Sequence, residues 1–258
     1  MPEGDTVWLA ARRLDERLAG HPVTRSDFRV PALATATVTG SSVREVVARG
    51  KHLLFRFSDG RTLHTHFRMD GRWHLYRPGA VWRGGPSHQV RAVLGTEDWI
   101  AVGYRLPVVD LVPTAQEHAL VGHLGPDLLG PDWDAVVALR NLRASPDREV
   151  GDALLDQRNL AGIGNIYRSE ALFACGVSPY RPVGAVGDLE DLVATARRLL
   201  LRNAPRGTQS TTGDERRPHH VFERAGRACY RCGTTIRRST LGEPRHERVT
   251  YWCPTCQP

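Results

Sequence analysis

The chain has 258 residues, 41% of them apolar, with a formal charge of +7 and a pI near 9.6. That length suits one large core or two modest ones, and two are expected. No run approaches the roughly 18 apolar residues a bilayer span needs, and acids within the first five positions exclude a basic leader, so the chain reads as soluble and cytoplasmic with a polyanionic partner. In chain order, Asp5-Thr6 offers an N-cap, and Val7, Ala10, Ala11, Leu14 and Leu18 recur at helical spacing until Gly20. From Pro22 to about Val112 the pattern turns strand-like: Leu53-Phe55-Phe57 and Leu63-Thr65-Phe67 alternate around the turn Ser58-Asp59-Gly60. A β-sandwich with the first helix against it is predicted.

Beyond Pro113 the apolar period changes to that of helices, over Trp133–Leu142, Val150–Leu155, Ile163–Phe173 and Leu189–Leu201. A second, helical domain begins near residue 125. Between the second and third of these helices, residues 156–165 hold two glycines suited to tight turns, which fits an ordinary helical hairpin as well as a recognition element. Residues 205–220 are polar and read as a mobile loop.

Two features carry chemistry. Cys229-x2-Cys232 and Cys253-x2-Cys256, twenty residues apart, have the spacing of a four-cysteine zinc site, which a cytoplasmic chain favours over a redox pair or disulfides. Four protein ligands leave no open position, so one structural Zn2+ is expected to shape an arginine-rich hairpin. Cys175, in an apolar helical stretch, reads as core packing. From Arg216 onward nine arginines face three acids, a local footprint suited to phosphates. Lys51 is the only lysine among 35 basic side chains. An arginine-favouring genome explains the bias but not the exception, and an ammonium can give up a proton where a guanidinium cannot.

Met1-Pro2-Glu3-Gly4, Arg49-Gly50-Lys51, His66-x-x-Met69-x-Gly71, Leu124-Gly125-Pro126-Asp127, Gly162-x-Gly164-Asn165-x-Tyr167 and the cysteine finger follow one another along the whole chain. Together they resemble the formamidopyrimidine-DNA glycosylase/endonuclease VIII family. The resemblance implies an α+β protein: an N-terminal β-sandwich with a flanking helix (residues 1–124), a helical DNA-binding domain with a helix–two-turn–helix at about 148–174 (125–224), and a zinc β-hairpin finger (225–258). It implies a monomeric, nucleoid-associated bacterial enzyme acting on damaged DNA, a bifunctional glycosylase and AP lyase of base excision repair. By the same resemblance Pro2 is the nucleophile, Glu3 the acid/base, Lys51 a phosphate contact and proton donor, and Arg248 the finger arginine that assists δ-elimination. Arg68, Met69, His123 and Asn165 match DNA-binding positions, Met69 as the wedge that fills the vacated stack. Taken alone, Met69 would read as core filler, Glu3 as a surface acid and Arg248 as one more solvated arginine.

The chemistry assigned to Pro2 is intelligible from the residue itself. Removal of Met1, which so small a second residue permits, leaves a secondary amine able to supply some free base near neutral pH. Its attack on a sugar's anomeric carbon expels the base and leaves an iminium with no N–H to lose, an electron sink for elimination.

Two departures matter. Thr6 stands where much of the family has glutamate, which leaves open any carboxylate role there. No Asp-Pro-Arg-Arg-Phe segment, used by the formamidopyrimidine branch to wedge the opposite strand, occurs around Asp98–Leu111. The second departure, with Met69-Asp70-Gly71-x-Trp73 and the Tyr251–Gln257 ending, resembles actinobacterial endonuclease VIII paralogues and implies a preference for oxidised pyrimidines. The alternatives are an oxidised-purine glycosylase of the same mechanism (8-oxoguanine or formamidopyrimidine) and a zinc-finger DNA-binding protein without catalysis.

Overall fold

In the computed structural model, residues 2–244 and 247–258 are described, and the chain falls into two compact units, residues 1–123 and 124–258. The first opens with helix α1, Gly4–Leu18, whose Val7, Ala11, Leu14 and Leu18 are buried along one stripe. The expected cap at Asp5-Thr6 is corrected. The helix starts two residues before a cap at Asp5 would allow, with Glu3 at the N-cap position, and Asp5 lies inside the first turn, buried, where a carboxylate complements the helix dipole. Gly20, at φ 81°, takes the left-handed turn that ends the segment.

Eight strands follow: β1 Arg25–Phe28, β2 Val43–Arg49, β3 His52–Phe57, β4 Arg61–His66, β5 Arg72–Tyr76, β6 Val90–Gly95, β7 Ile100–Tyr104 and β8 Val108–Pro113. They form two antiparallel sheets, ordered β1-β6-β7-β5 and β2-β3-β4-β8. Both sheets and α1 share one core, in which Leu53, Phe55, Phe57 and Leu63 meet Phe28, Ala92, Leu94 and Ala101, so the sandwich and its flanking helix are present. Asp15 of α1 accepts the Val46 amide of β2 at 2.7 Å, fixing the helix to the sheet edge.

Odd positions of β3 and β4 point into this core, and even positions line the sheet's other face. Apart from the buried Leu54, that face is polar and internally bonded. The Arg56 guanidinium joins Glu45 at 2.8 Å to Glu117 at 2.9 Å, Glu117 being the first residue of the short helix α2, Glu117–Val121. Paired in this way, the Glu117 carboxyl is held below the usual range against the opposing effect of burial, by the Arg56 hydrogen bonds and charge and by Thr62.

The second unit contains α3 Ala135–Arg143, α4 Val150–Ala153, α5 Asn165–Ala174 and α6 Leu189–Asn203, then β9 Arg237–Leu241 paired with β10 Arg248–Trp252. Helix α3 begins two residues later than its apolar pattern because Asp134 accepts the Val136 and Val137 amides, a side-chain N-cap. Leu139, Leu142, Leu154, Ile163, Tyr167, Leu172, Leu192 and Leu200 build its core. Cys175 caps α5 and packs against that core, and its thiol, pushed up by burial, donates to Asp191 at 3.5 Å.

The reading of residues 205–220 as a mobile loop needs correcting. The segment lacks regular structure but is tied to α5, because Glu170, 1% exposed, accepts the Thr211 hydroxyl at 2.6 Å and the amides of His220, Val221 and Phe222 at 2.8–2.9 Å. Among the described residues no helix is long and apolar enough to cross a membrane.

Candidate active site and metal centre

Pro2, half-buried, leads in extended backbone into α1, and Glu3 beside it is only 1% exposed. A carboxyl so withdrawn from water is not a solvated surface acid, and burial of this kind requires polar partners. Lys51 sits in the tight turn between β2 and β3, after Gly50 at φ 59°. The following residue, His52, is paired across the sheet with His66, and His64 is paired with Asp110. This register stacks a chain of groups on the polar face: His52 Nδ1 lies 2.8 Å from His64 Nε2, and His64 Nδ1 lies 3.0 Å from Asp110 Oδ2. The His66 ring stands edge-on to His52 at 4.8 Å, and that of His123 at 6.4 Å.

Burial, then the neighbouring His66, His64, His123 and Lys51, pushes the His52 imidazole down to about 3. Burial, then Lys51, His64 and Arg68, pushes His66 down to about 4. Both rings are therefore neutral at physiological pH, and the cationic side chains at this end of the sheet include Lys51, Arg68 and Arg49, the residue opposite His52 on β2. The structure thus brings Lys51, Arg68 and His123 around one histidine cluster. Met69, three residues beyond the end of β4, is 62% exposed at the tip of a turn, so it fills no core. His52, His64 and Asp110 were not singled out from sequence, since only the cross-strand register joins them.

In the second unit, α4 and α5 are connected by a loop held by its own side chains. Gln157 donates to the Leu155 and Ile163 carbonyls and accepts the Gly162 amide, with Gly162 at φ 98°. Asp156, gripped by Arg158 and Arg148, has its carboxyl held well below the usual range, the Arg158 hydrogen bond being the largest cause. Asn165 is the first residue of α5, where helix amides favour an anion. Its Oδ1 is occupied by Arg168, a fully buried arginine that also donates to the Val249 carbonyl of β10 at 2.8 Å. Arg168 was missed in the sequence, yet it ties Asn165 to the strand that begins with Arg248, itself exposed.

The four predicted cysteines converge, with all their sulfurs within 4.8 Å of one another. Cys232 and Cys253 are 3.4 Å apart and Cys229 and Cys256 4.0 Å, too far for disulfides. Thiolates bound tetrahedrally at about 2.3 Å would be about 3.8 Å apart, so this donor set fits a metal such as zinc. Gly233, at φ 79°, closes the first knuckle by returning its amide to the Cys229 carbonyl at 2.9 Å.

Of the arginines from 216 onward, Arg216, Arg217, Arg227, Arg231, Arg237, Arg238 and Arg248 are exposed. Arg224 is buried against the Tyr230 ring at 3.4 Å and donates to the His220 and Ala228 carbonyls, a structural cation rather than a phosphate contact. Arg245 lies outside the described residues.

Comparison with known proteins agrees with this arrangement. Residues 1–105 match the Formamidopyrimidine-DNA glycosylase N-terminal domain, and residues 124–213 match the Formamidopyrimidine-DNA glycosylase H2TH domain. The chain is 57% identical, over all of its length and 94% of the relative's, to a probable endonuclease 8 2 of Streptomyces coelicolor. It is 44% identical, over all of its length and 99% of the relative's, to a DNA-(apurinic or apyrimidinic site) lyase Nei2 of Mycolicibacterium smegmatis. Among solved structures it is similar to MutM in complex with carbocyclic 8-oxo-G containing DNA, with a TM-score of 0.82, 25% identity and full coverage of both chains.

Proposed function

The chain belongs to the formamidopyrimidine-DNA glycosylase/endonuclease VIII family, and from that premise we propose how its residues act and which bases it removes. It is a bifunctional DNA glycosylase and AP lyase of base excision repair. Pro2, freed of Met1, attacks the anomeric carbon of a damaged nucleoside, and the base leaves. The resulting iminium acidifies the neighbouring sugar protons, so the 3′ and then the 5′ phosphate are lost by β- and δ-elimination. Glu3 protonates the ring oxygen and shuttles protons. Lys51 holds phosphate and supplies a proton, Arg248 grips phosphate for the second elimination, and Asn165, with Arg68 and His123, binds the backbone. Met69 fills the stack the extruded nucleotide leaves.

Cys229, Cys232, Cys253 and Cys256 hold one structural zinc, which would keep the β9–β10 hairpin in shape. Catalysis belongs to residues 1–124, DNA grip to 125–224 and the finger to 225–258. The enzyme works as a monomer on nucleoid DNA in a bacterial cytoplasm.

The preference for oxidised pyrimidines rests on one observation: β7 and β8 are joined by three residues, Arg105-Leu106-Pro107, of which Leu106 is buried at 2% exposure. The one large apolar side chain of this short connection is turned into the core of the first unit and so is not available as a wedge for an opposite strand.

The central chemistry is tested by borohydride trapping on an abasic duplex. The mature chain is expected to form a permanent adduct that maps to Pro2, and a chain with its N-terminus blocked is expected to form none. An adduct on Lys51, or trapping that survives the block, refutes the Pro2 mechanism. DNA binding without any trapping supports the non-enzymatic alternative.

A further inference from the structure

The turn that carries Met69 is held by a side chain. Arg68, at φ 46°, occupies the left-handed region that side chains other than glycine, asparagine and aspartate rarely adopt. Its amide does not return to a backbone carbonyl of the turn; it donates to Nδ1 of His66 at 2.9 Å. Gly71 closes the other side, its amide on the Phe67 carbonyl at 2.8 Å, and a Cβ at Gly71 would lie 2.7 Å from that oxygen. Residues 67–71 therefore make one tight turn with Met69 at its exposed tip.

The hydrogen bonding fixes which form of His66 can do this. An Nδ1 that accepts an amide carries no proton, so the ring is neutral with its hydrogen on Nε2. Protonating Nδ1 would set donor against donor. Beside it, His64 Nδ1 faces Asp110 at 3.0 Å and His64 Nε2 faces His52 Nδ1 at 2.8 Å, and burial keeps His52 uncharged. His66 thus packs edge-on to an uncharged His52, and its own imidazole, held down to about 4 by burial and then by Lys51, His64 and Arg68, keeps the accepting form at neutral pH.

We propose that His66 is a positioning residue for base extrusion: by accepting the Arg68 amide it holds the strained 67–71 turn in the shape that presents Met69 to the base stack. The inference rests on the reading of Met69 as the wedge. It assigns His66 a role through its Nδ1, separate from anything its Nε2 contacts.

The two ring nitrogens can be separated by substitution. Asparagine places an acceptor where Nδ1 was and nothing at Nε2, whereas glutamine places its amide at Nε2 and nothing at Nδ1. His66→Gln, His66→Asn and Met69→Ala are compared, after thermal melts and circular dichroism verify folding, by single-turnover excision of thymine glycol and by cleavage at a preformed abasic site. A 2-aminopurine beside the lesion reports unstacking directly. His66→Gln is expected to lower excision relative to abasic cleavage by roughly tenfold to a hundredfold, as misplacement of a positioning group does, and to suppress the 2-aminopurine signal. His66→Asn keeps the wild-type ratio even where both rates fall. His66→Gln combined with Met69→Ala is no worse in that ratio than Met69→Ala alone. If Met69→Ala leaves the ratio unchanged, the wedge reading itself fails and this inference goes with it. If Met69→Ala lowers the ratio while His66→Gln does not, or His66→Asn lowers it as much as His66→Gln, the positioning role is overturned and the wedge reading stands.

Discussion

Glu170 is the side chain on which the second unit's non-helical half hangs. Its carboxylate, on α5 and 1% exposed, receives the Thr211 hydroxyl and three consecutive amides, those of His220, Val221 and Phe222. Glu170→Ala removes all four acceptor contacts at once, and Val221 and Phe222 are themselves buried. Each buried donor left without a partner costs about 1–3 kcal/mol, and water entering the vacated space recovers part of this, so a loss of roughly 3–6 kcal/mol is expected. That is comparable with the whole stability of a typical domain, about 5–15 kcal/mol. Glu170→Gln keeps one oxygen and turns an amino group toward the donors, so it should lose about as much as the alanine variant or somewhat less.

Urea unfolding followed by circular dichroism gives the free energy, and native-state hydrogen exchange gives the location, with protection of amides 220–222 lost first. The first unit's exchange pattern should not change. A loss under about 1 kcal/mol in Glu170→Ala, with amides 220–222 still protected, would refute the view that this carboxylate anchors the segment.

Three further outcomes are expected. Chelation or Cys232→Ser should lower DNA affinity before the first unit unfolds, because the finger buries only a small cluster around Phe173, Val221, Ile236 and two of the cysteines; protein shown by metal analysis to lack zinc, yet binding DNA at full strength, would remove the metal's role. Stability should fall as pH drops from about 6.5 through 4 toward 3, because the unfolded histidines take up protons that the folded His52 and His66, held down to about 3 and about 4, refuse; above about 6.5 their contribution is complete. His74 and His220, both lowered chiefly by burial, act with the same sign, so a urea midpoint that stays flat from pH 7.5 to 5 would contradict this reading. On a matched oligonucleotide panel, thymine glycol and other oxidised pyrimidines should be released faster than 8-oxoguanine paired with cytosine; the reverse order would place the enzyme with the purine-specific branch.

What the sequence determined by itself is whatever local geometry fixes. The apolar stripe of α1, the alternation of β3 and β4 and the Cys-x2-Cys pairs are periodicities of three to four, two and three residues, set by the backbone within a few neighbours. The helix start at Gly4 rather than after Asp5 lies at the limit of that information, since several adjacent residues could cap it. Tertiary structure alone decided the rest. His52, His64, His66 and Asp110 become one hydrogen-bonded cluster only because antiparallel register sets residue 52 opposite 66 and 64 opposite 110, and a slip of one residue would turn these side chains into the core. Glu170 and Arg168, on a helix read as apolar, would pass for solvated positions. Their partners arrive from 41 to 52 and from 81 residues farther along the chain, and a buried polar group is explained only by the donors and acceptors that a distant segment brings to it.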